Sequence, residues 1–202
     1  MKDPYMKTRI WIILTSLAVM LSGCIPSVNP FYTEKDLVFE PRLVGEWQEK
    51  DTTGQPEVWK FAKEGANHYK LLITDKEGKQ GEFEAHLFRL KQEQFLDLKP
   101  SECHFATNQA DLVAICMIPG HLLVRVSQFE PDLKLAFIDS DWLEKYLTNN
   151  PSALAYHRED KSGILTAQTA DLQRFVLQHL GDGELFAKPG ELVRKTKDVH
   201  GN

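Results

Sequence analysis

Between Val58 and Thr74 the chain alternates apolar and polar side chains: Trp59 and Phe61 against Lys60, then Tyr69, Leu71 and Ile73 against His68, Lys70 and Thr74. A period of two places each set on one face of an extended strand, so each run has a dry face and a wet one. The same pattern returns in Phe83, Ala85 and Leu87 against Glu82, Glu84 and His86. After Leu87 the phase slips to Phe88 and Leu90, which reads as a bulge. "QFLDLKP" is a further short strand ended by Pro100. Leu122, Val124 and Val126 then alternate with Leu123, Arg125 and Ser127, and "EPDLK" turns the chain into Leu133, Leu135 and Phe137. Turn formers separate these runs, as in Asp51–Pro56 and "DKEGKQG", which is the signature of an antiparallel meander.

Helical spacing appears only late in the chain. Asp141, with Glu144 three residues on, reads as a capping box opening a helix with Leu143, Tyr146 and Leu147 on one face, stopped by Asn149-Asn150-Pro151. A second helix opens near Thr169 or Ala170, carries Leu172, Phe175, Val176 and Leu180, and ends at Gly181. "ALAYHRE" and "GILTA", joined by "DKSG", form a hairpin between the helices. The fold class is therefore mainly β with two late helices. Roughly seven to nine short sequential strands leave exposed edges, which either closure into a barrel or a strongly curved sheet covered by the helices would resolve.

Upstream of this pattern lies an apolar stretch of a different kind. Ile10 to Leu21 is uncharged and twelve residues long, against about 20 needed to cross a bilayer as a helix. Lys2, Lys7 and Arg9 precede it, opposed only by Asp3, and small Ser22-Gly23 follow, the layout of a secretory signal. Either Met1 or Met6 can serve as its start. Leu21-Ser22-Gly23-Cys24 resembles the lipobox of bacterial lipoproteins. That resemblance implies cleavage after Gly23, with a diacylglycerol thioether and an N-acyl group on Cys24. Several acyl chains are needed because one alone holds a protein only marginally. Ile25 stands where some bacteria place a retaining Asp, so the expected location is outside the cytoplasm, on an outer membrane facing the periplasm if the organism has two membranes.

The division that follows is a cleaved signal peptide (1–23), a lipidated Cys and tether (24–41), a single mostly β domain (42–188) and a loose tail (189–202). Prolines at 26, 30 and 41 restrict the tether to extended backbone, ordered only towards its end. Removing the signal takes away three basic and one acidic side chain and moves the net charge from -5 to -7. An acidic domain without clustered Lys and Arg is a poor nucleic-acid binder.

Gly45-Glu46-Trp47 resembles the Gly-x-Trp element that opens lipocalin barrels, where the Trp closes one barrel end, a structural role for Trp47. The opening "NPFYTEKDLVFEPRLVGEW" also resembles that of uncharacterised bacterial lipoproteins, a resemblance that supplies no activity. Trp59, Phe61, Tyr69 and Phe83 share a face on neighbouring strands, where they either pack as a core or line an apolar cavity.

Candidate chemistry is sparse. In an exported compartment Cys103 and Cys116 are expected to pair, closing a loop of about fourteen residues at a gain of roughly 3 kcal/mol. A metal site from Cys103, His104, Cys116 and His121 is an alternative whose spacing fits no common zinc pattern, and two buried free thiols are another. Gly-x-Ser-x-Gly, Ser-x-x-Lys, His-Glu-x-x-His and a phosphate-cradling glycine loop are missing, so neither a catalytic group nor a cofactor is expected. His86 falls on a polar face, His157 and His179 among charges, and His121 near the cysteine loop. Two function classes result: a membrane-anchored envelope protein that is structural or binds a protein partner, and a lipocalin-like carrier of a small apolar ligand.

Overall fold

Each alternating run of the sequence lies in a strand of one closed sheet. The computed structural model describes residues 24–101, 119–159 and 162–195. The sheet comprises β1 (Gly45–Glu49), β2 (Val58–Glu64), β3 (His68–Thr74), β4 (Gln80–Leu90), β5 (Glu93–Pro100), β6 (Leu122–Gln128) and β7 (Leu133–Phe137). Between β7 and the final strand the chain leaves the barrel for α1 (Ser140–Asn149), the hairpin β8 (Tyr156–Glu159) and β9 (Ser162–Leu165), and α2 (Thr169–His179). It returns as β10 (Gly190–Arg194), which pairs antiparallel with both β7 and β1 and closes the ring. Of the two expected arrangements the structure is the closed, lipocalin-like barrel, whose eight strands leave no free edge in that sheet.

Closure by β10 corrects the sequence reading, which placed residues 189–202 in a loose tail. Only Leu192 in that strand is fully buried, so a single inward apolar residue had no period to display. Pairing makes it a strand: Trp47 lies opposite Arg194, and Leu192 opposite both Glu49 and Leu133.

Two cores share one wall. Inward side chains from all eight barrel strands form the first, with Trp47, Trp59, Tyr69 and Leu87 fully buried. The second lies outside, where Phe88, Phe95 and Leu123 of β4–β6 meet Leu143 and Leu147 of α1 and Leu172, Phe175 and Val176 of α2. This second core explains the phase slip after Leu87. No bulge is present there, because Leu87 pairs with Leu96 and Phe88 with Phe95 in unbroken register. The strand is buried on both faces, and a doubly buried strand loses its alternation. The irregularity in the wall falls instead between Val126 and Gln128 against β7.

Residues 24–41 likewise differ from the expected tether. The Ser27 amide donates to the His121 carbonyl at 2.9 Å and the Ser27 carbonyl accepts from the His121 amide in return at 2.8 Å, while the Val28 amide donates to the Leu165 carbonyl and the Leu165 amide to the Pro26 carbonyl. The segment is thus a strap laid between the start of β6 and the end of β9, with Ser27 and Phe31 buried. Prolines that restrict the backbone to extended geometry suit a strand-like strap as well as a loose tether, and only the neighbours decide between them. At the head of α1 the N-cap is Asp139, which accepts from the Trp142 amide at 2.9 Å. Asp141 therefore lies within the first turn and does not open a capping box.

Candidate functional site

The barrel interior is occupied by the residues proposed to line it. Trp47 is fully buried in that interior, against the Pro41–Leu43 turn. Its indole donates to the Leu43 carbonyl at 2.9 Å, and the Arg194 guanidinium sits 4.3 Å from its ring. Arg194 also donates to the carbonyls of Val44 and Arg42. Gly45 has φ +137°, a conformation that side-chain-bearing residues rarely adopt, and a Cβ there would also displace the guanidinium 2.6 Å away. Deeper inside, Trp59 lies 6.1 Å from Phe61 and 6.2 Å from Phe137, and Phe61 lies 6.2 Å from Tyr69, centroid to centroid. Such tilted and edge-on contacts are those of packed aromatic cores. Phe83, by contrast, is only half-buried at the edge of that core.

Near the end of β1 and the start of β2 two carboxylates share the inward parity of Trp47 and Trp59. Glu57 is 1% exposed and accepts the Trp59 indole N–H at 2.6 Å. Burial first, and the nearby Glu49 charge with it, push the Glu57 carboxyl above its ordinary range. Glu49 faces the Lys76 ammonium at 2.7 Å. Sequence reasoning missed Glu57, although its parity with Trp59 was there to be read.

Outside the wall, Asp97 on β5 is fully buried and accepts from the Phe31 amide at 2.8 Å, with His121 Nδ1 at 2.6 Å from its other oxygen. His121, singled out for its place near the cysteine loop, is thus part of a clip joining strap, β5 and β6. Opposite Asp97 on β4 stands His86, stacked 4.6 Å from Tyr32 of the strap and 5.4 Å from His68. Burial holds His86 below the usual imidazole range, and burial together with Asp97 pushes the Tyr32 hydroxyl up to about 12. Cys103, His104 and Cys116 lie outside the described residues, so neither the disulfide nor the alternative metal set meets the structure.

A cleft of about 340 Å³ opens on the outer face of β6 and β7, beneath the segment that follows α2. Arg125, Ser127, Leu180, Phe186 and Lys188 are among its lining residues, and no carboxylate is. Arg125 is held by Glu93 through bonds of 3.0 and 2.8 Å, whereas Lys188 is exposed and has no ion-pair partner among the described residues. His179, expected among exposed charges, is instead buried at the cleft's inner edge against Trp142, Tyr146 and Phe175, with Nδ1 2.6 Å from Asp182. Its place was legible, since Leu172, Phe175, Val176 and His179 follow one helical stripe. Nε2 of His179 is sealed within the rings without a partner. The cleft thus has exposed Lys188 at its rim and Leu180, Leu185 and Phe186 along its apolar walls.

Comparison with known proteins found no matching family model, no matching curated protein and no matching solved structure. Among the described residues no group of three His, Cys, Asp or Glu is placed to hold a metal ion. No helix among them is long and apolar enough to cross a membrane.

Proposed function

We propose that this chain is an envelope lipoprotein, attached through acylated Cys24 outside the cytoplasm, whose barrel is a rigid scaffold for contact with a protein partner. The observation that carries the scaffold reading is the filled interior: Trp47, Trp59, Phe61 and Tyr69 are at most 1% exposed and pack on one another. An eight-stranded barrel has room either for its own side chains or for one small ligand, and here large side chains take the space. The contact surface is then the outside, where the cleft offers unpaired Lys188 beside the apolar face of Phe186. Anchoring is supported by the order of features from Lys2 to Cys24.

Metabolic labelling with a palmitate analogue tests the anchor: it is expected to mark the wild type and spare Cys24→Ser, and equal labelling would remove the lipoprotein reading. Native mass spectrometry of the purified protein tests the scaffold, with a bare domain expected. The closed barrel also favours a second reading, a lipocalin-like carrier in which an apolar ligand displaces part of the aromatic core. A stoichiometric copurifying acyl compound would establish the carrier and end the scaffold reading.

A further inference from the structure

This inference rests on the lipoprotein reading of Cys24 and concerns where the lipid surface meets the domain. Ser27 is fixed to β6 by its two backbone bonds with His121, and Pro26 is tied to β9 through the Leu165 amide. The strap lies so close to the barrel that a Cβ on Gly120 would sit 2.6 Å from the Pro26 Cβ. Two residues, Ile25 and Pro26, separate Cys24 from Ser27, and the three steps between them reach only about 10 Å even when fully extended. No slack exists between the acylated residue and the barrel. Cys24 is itself half-buried against the barrel core, as are Phe83 near the start of β4 and Leu122 at the start of β6.

We infer that a bilayer covers one end of the barrel. The rim made by the β3–β4 turn, the end of β5 and the start of β6 lies against the lipid. The end closed by Pro41–Leu43, where Arg42 lies 5.3 Å over the ring of Phe129, points away. Charge attraction is a minor source of this orientation, because Lys79 is paired with Glu77 and Lys76 with Glu49, which leaves Lys99 among the described rim cations without an ion pair. The short attachment supplies it, so the contact persists on neutral lipid and in high salt. It also directs the Trp47 end, and not the strap end, towards whatever stands off the membrane.

The test uses the acylated chain in phosphatidylcholine vesicles that contain lipids with a nitroxide on the headgroup. A fluorescent amino acid is placed at exposed Glu77 in the β3–β4 turn or at exposed Ala66 in the β2–β3 turn. Quenching is expected to be several-fold greater at 77 than at 66, unchanged by molar salt, and equalised by a flexible Gly/Ser insertion of about 16 residues between Cys24 and Ile25. Equal quenching at both positions in vesicle-bound wild type would overturn the inference while leaving the anchor intact. A difference abolished by salt would assign the orientation to surface charge and overturn it as well. Vesicle association that is absent, or that survives Cys24→Ser, would instead sink the lipoprotein reading on which the inference depends.

Discussion

The inner face of β5 carries Leu96 and Leu98 into the barrel core, while its outer face carries Phe95 and Asp97 into the layer made by strap and helices. The two environments are equally dry and are built differently. Inside the barrel, the strands that meet are mostly neighbours in sequence joined by short turns, and the contacts are apolar. Outside, segments far apart in the chain are brought together: the Phe31 amide reaches Asp97 across 66 residues, and Gln173 donates to the Phe31 carbonyl across 142. The inner core therefore rests mainly on burial of area, its polar contacts being local ones such as Trp59 to Glu57 and Trp47 to Leu43, whereas the outer layer adds long-range directional contacts that set where strap and helices sit.

The largest expected effect follows from Trp59→Ala, which opens a cavity in the filled core and leaves Glu57 without its donor. A loss of about 3–5 kcal/mol in denaturant unfolding is expected. A loss well under that range would mean that the interior is loosely occupied, which would strengthen the carrier reading. Asp97→Asn attacks the outer layer instead, replacing charge-assisted bonds to Phe31 and His121 by weaker ones. It should cost about 1–3 kcal/mol and speed hydrogen exchange at the Ser27 and Val28 amides while leaving Tyr69 protected. Uniform acceleration across the barrel would show that the two cores do not separate.

Glu57→Gln tests the inner core through pH. A carboxyl whose folded value is raised favours the folded state most below the ordinary Glu value of 4.5 and loses that contribution as pH rises through the raised value. The variant, which cannot ionise and still offers an oxygen to Trp59, is expected to melt slightly higher than wild type at neutral pH and to match it in acid. The smallest effect on stability is expected from Lys188→Glu at the exposed cleft, within about 0.5 kcal/mol. That variant should nevertheless lose crosslinking to a partner from a photoreactive residue at Ser127, and retention of the crosslink would place the contact elsewhere.

Much of the barrel was legible because alternation survives wherever one face is dry and the other wet, as in Tyr69, Leu71 and Ile73. The reading failed where that condition fails. Leu87 and Phe88 are both buried because helices cover the outer face of β4, and a local pattern carries no information about a layer supplied by residues 140 to 180. Leu192 had too little apolar context to mark β10. Asp97 shows the same limit for the site: in sequence it is one acid among hydrophobic neighbours, and only the arrival of Phe31 and His121 makes it a clip. Glu57 and His179 were within reach of a stricter use of period two and period 3.6.

What the sequence determined by itself was therefore the set of local periods: the inward faces of β2, β3 and β7 and the apolar stripes of α1 and α2. Tertiary structure decided what those segments meet. It closed the sheet with residues 190–194, turned the expected tether into a strap, and filled the barrel with the aromatics that could have lined a cavity. The physical reason is that side-chain periodicity follows from backbone geometry within a few residues, while closure, occupancy and burial of the outer wall depend on contacts between distant parts of the chain.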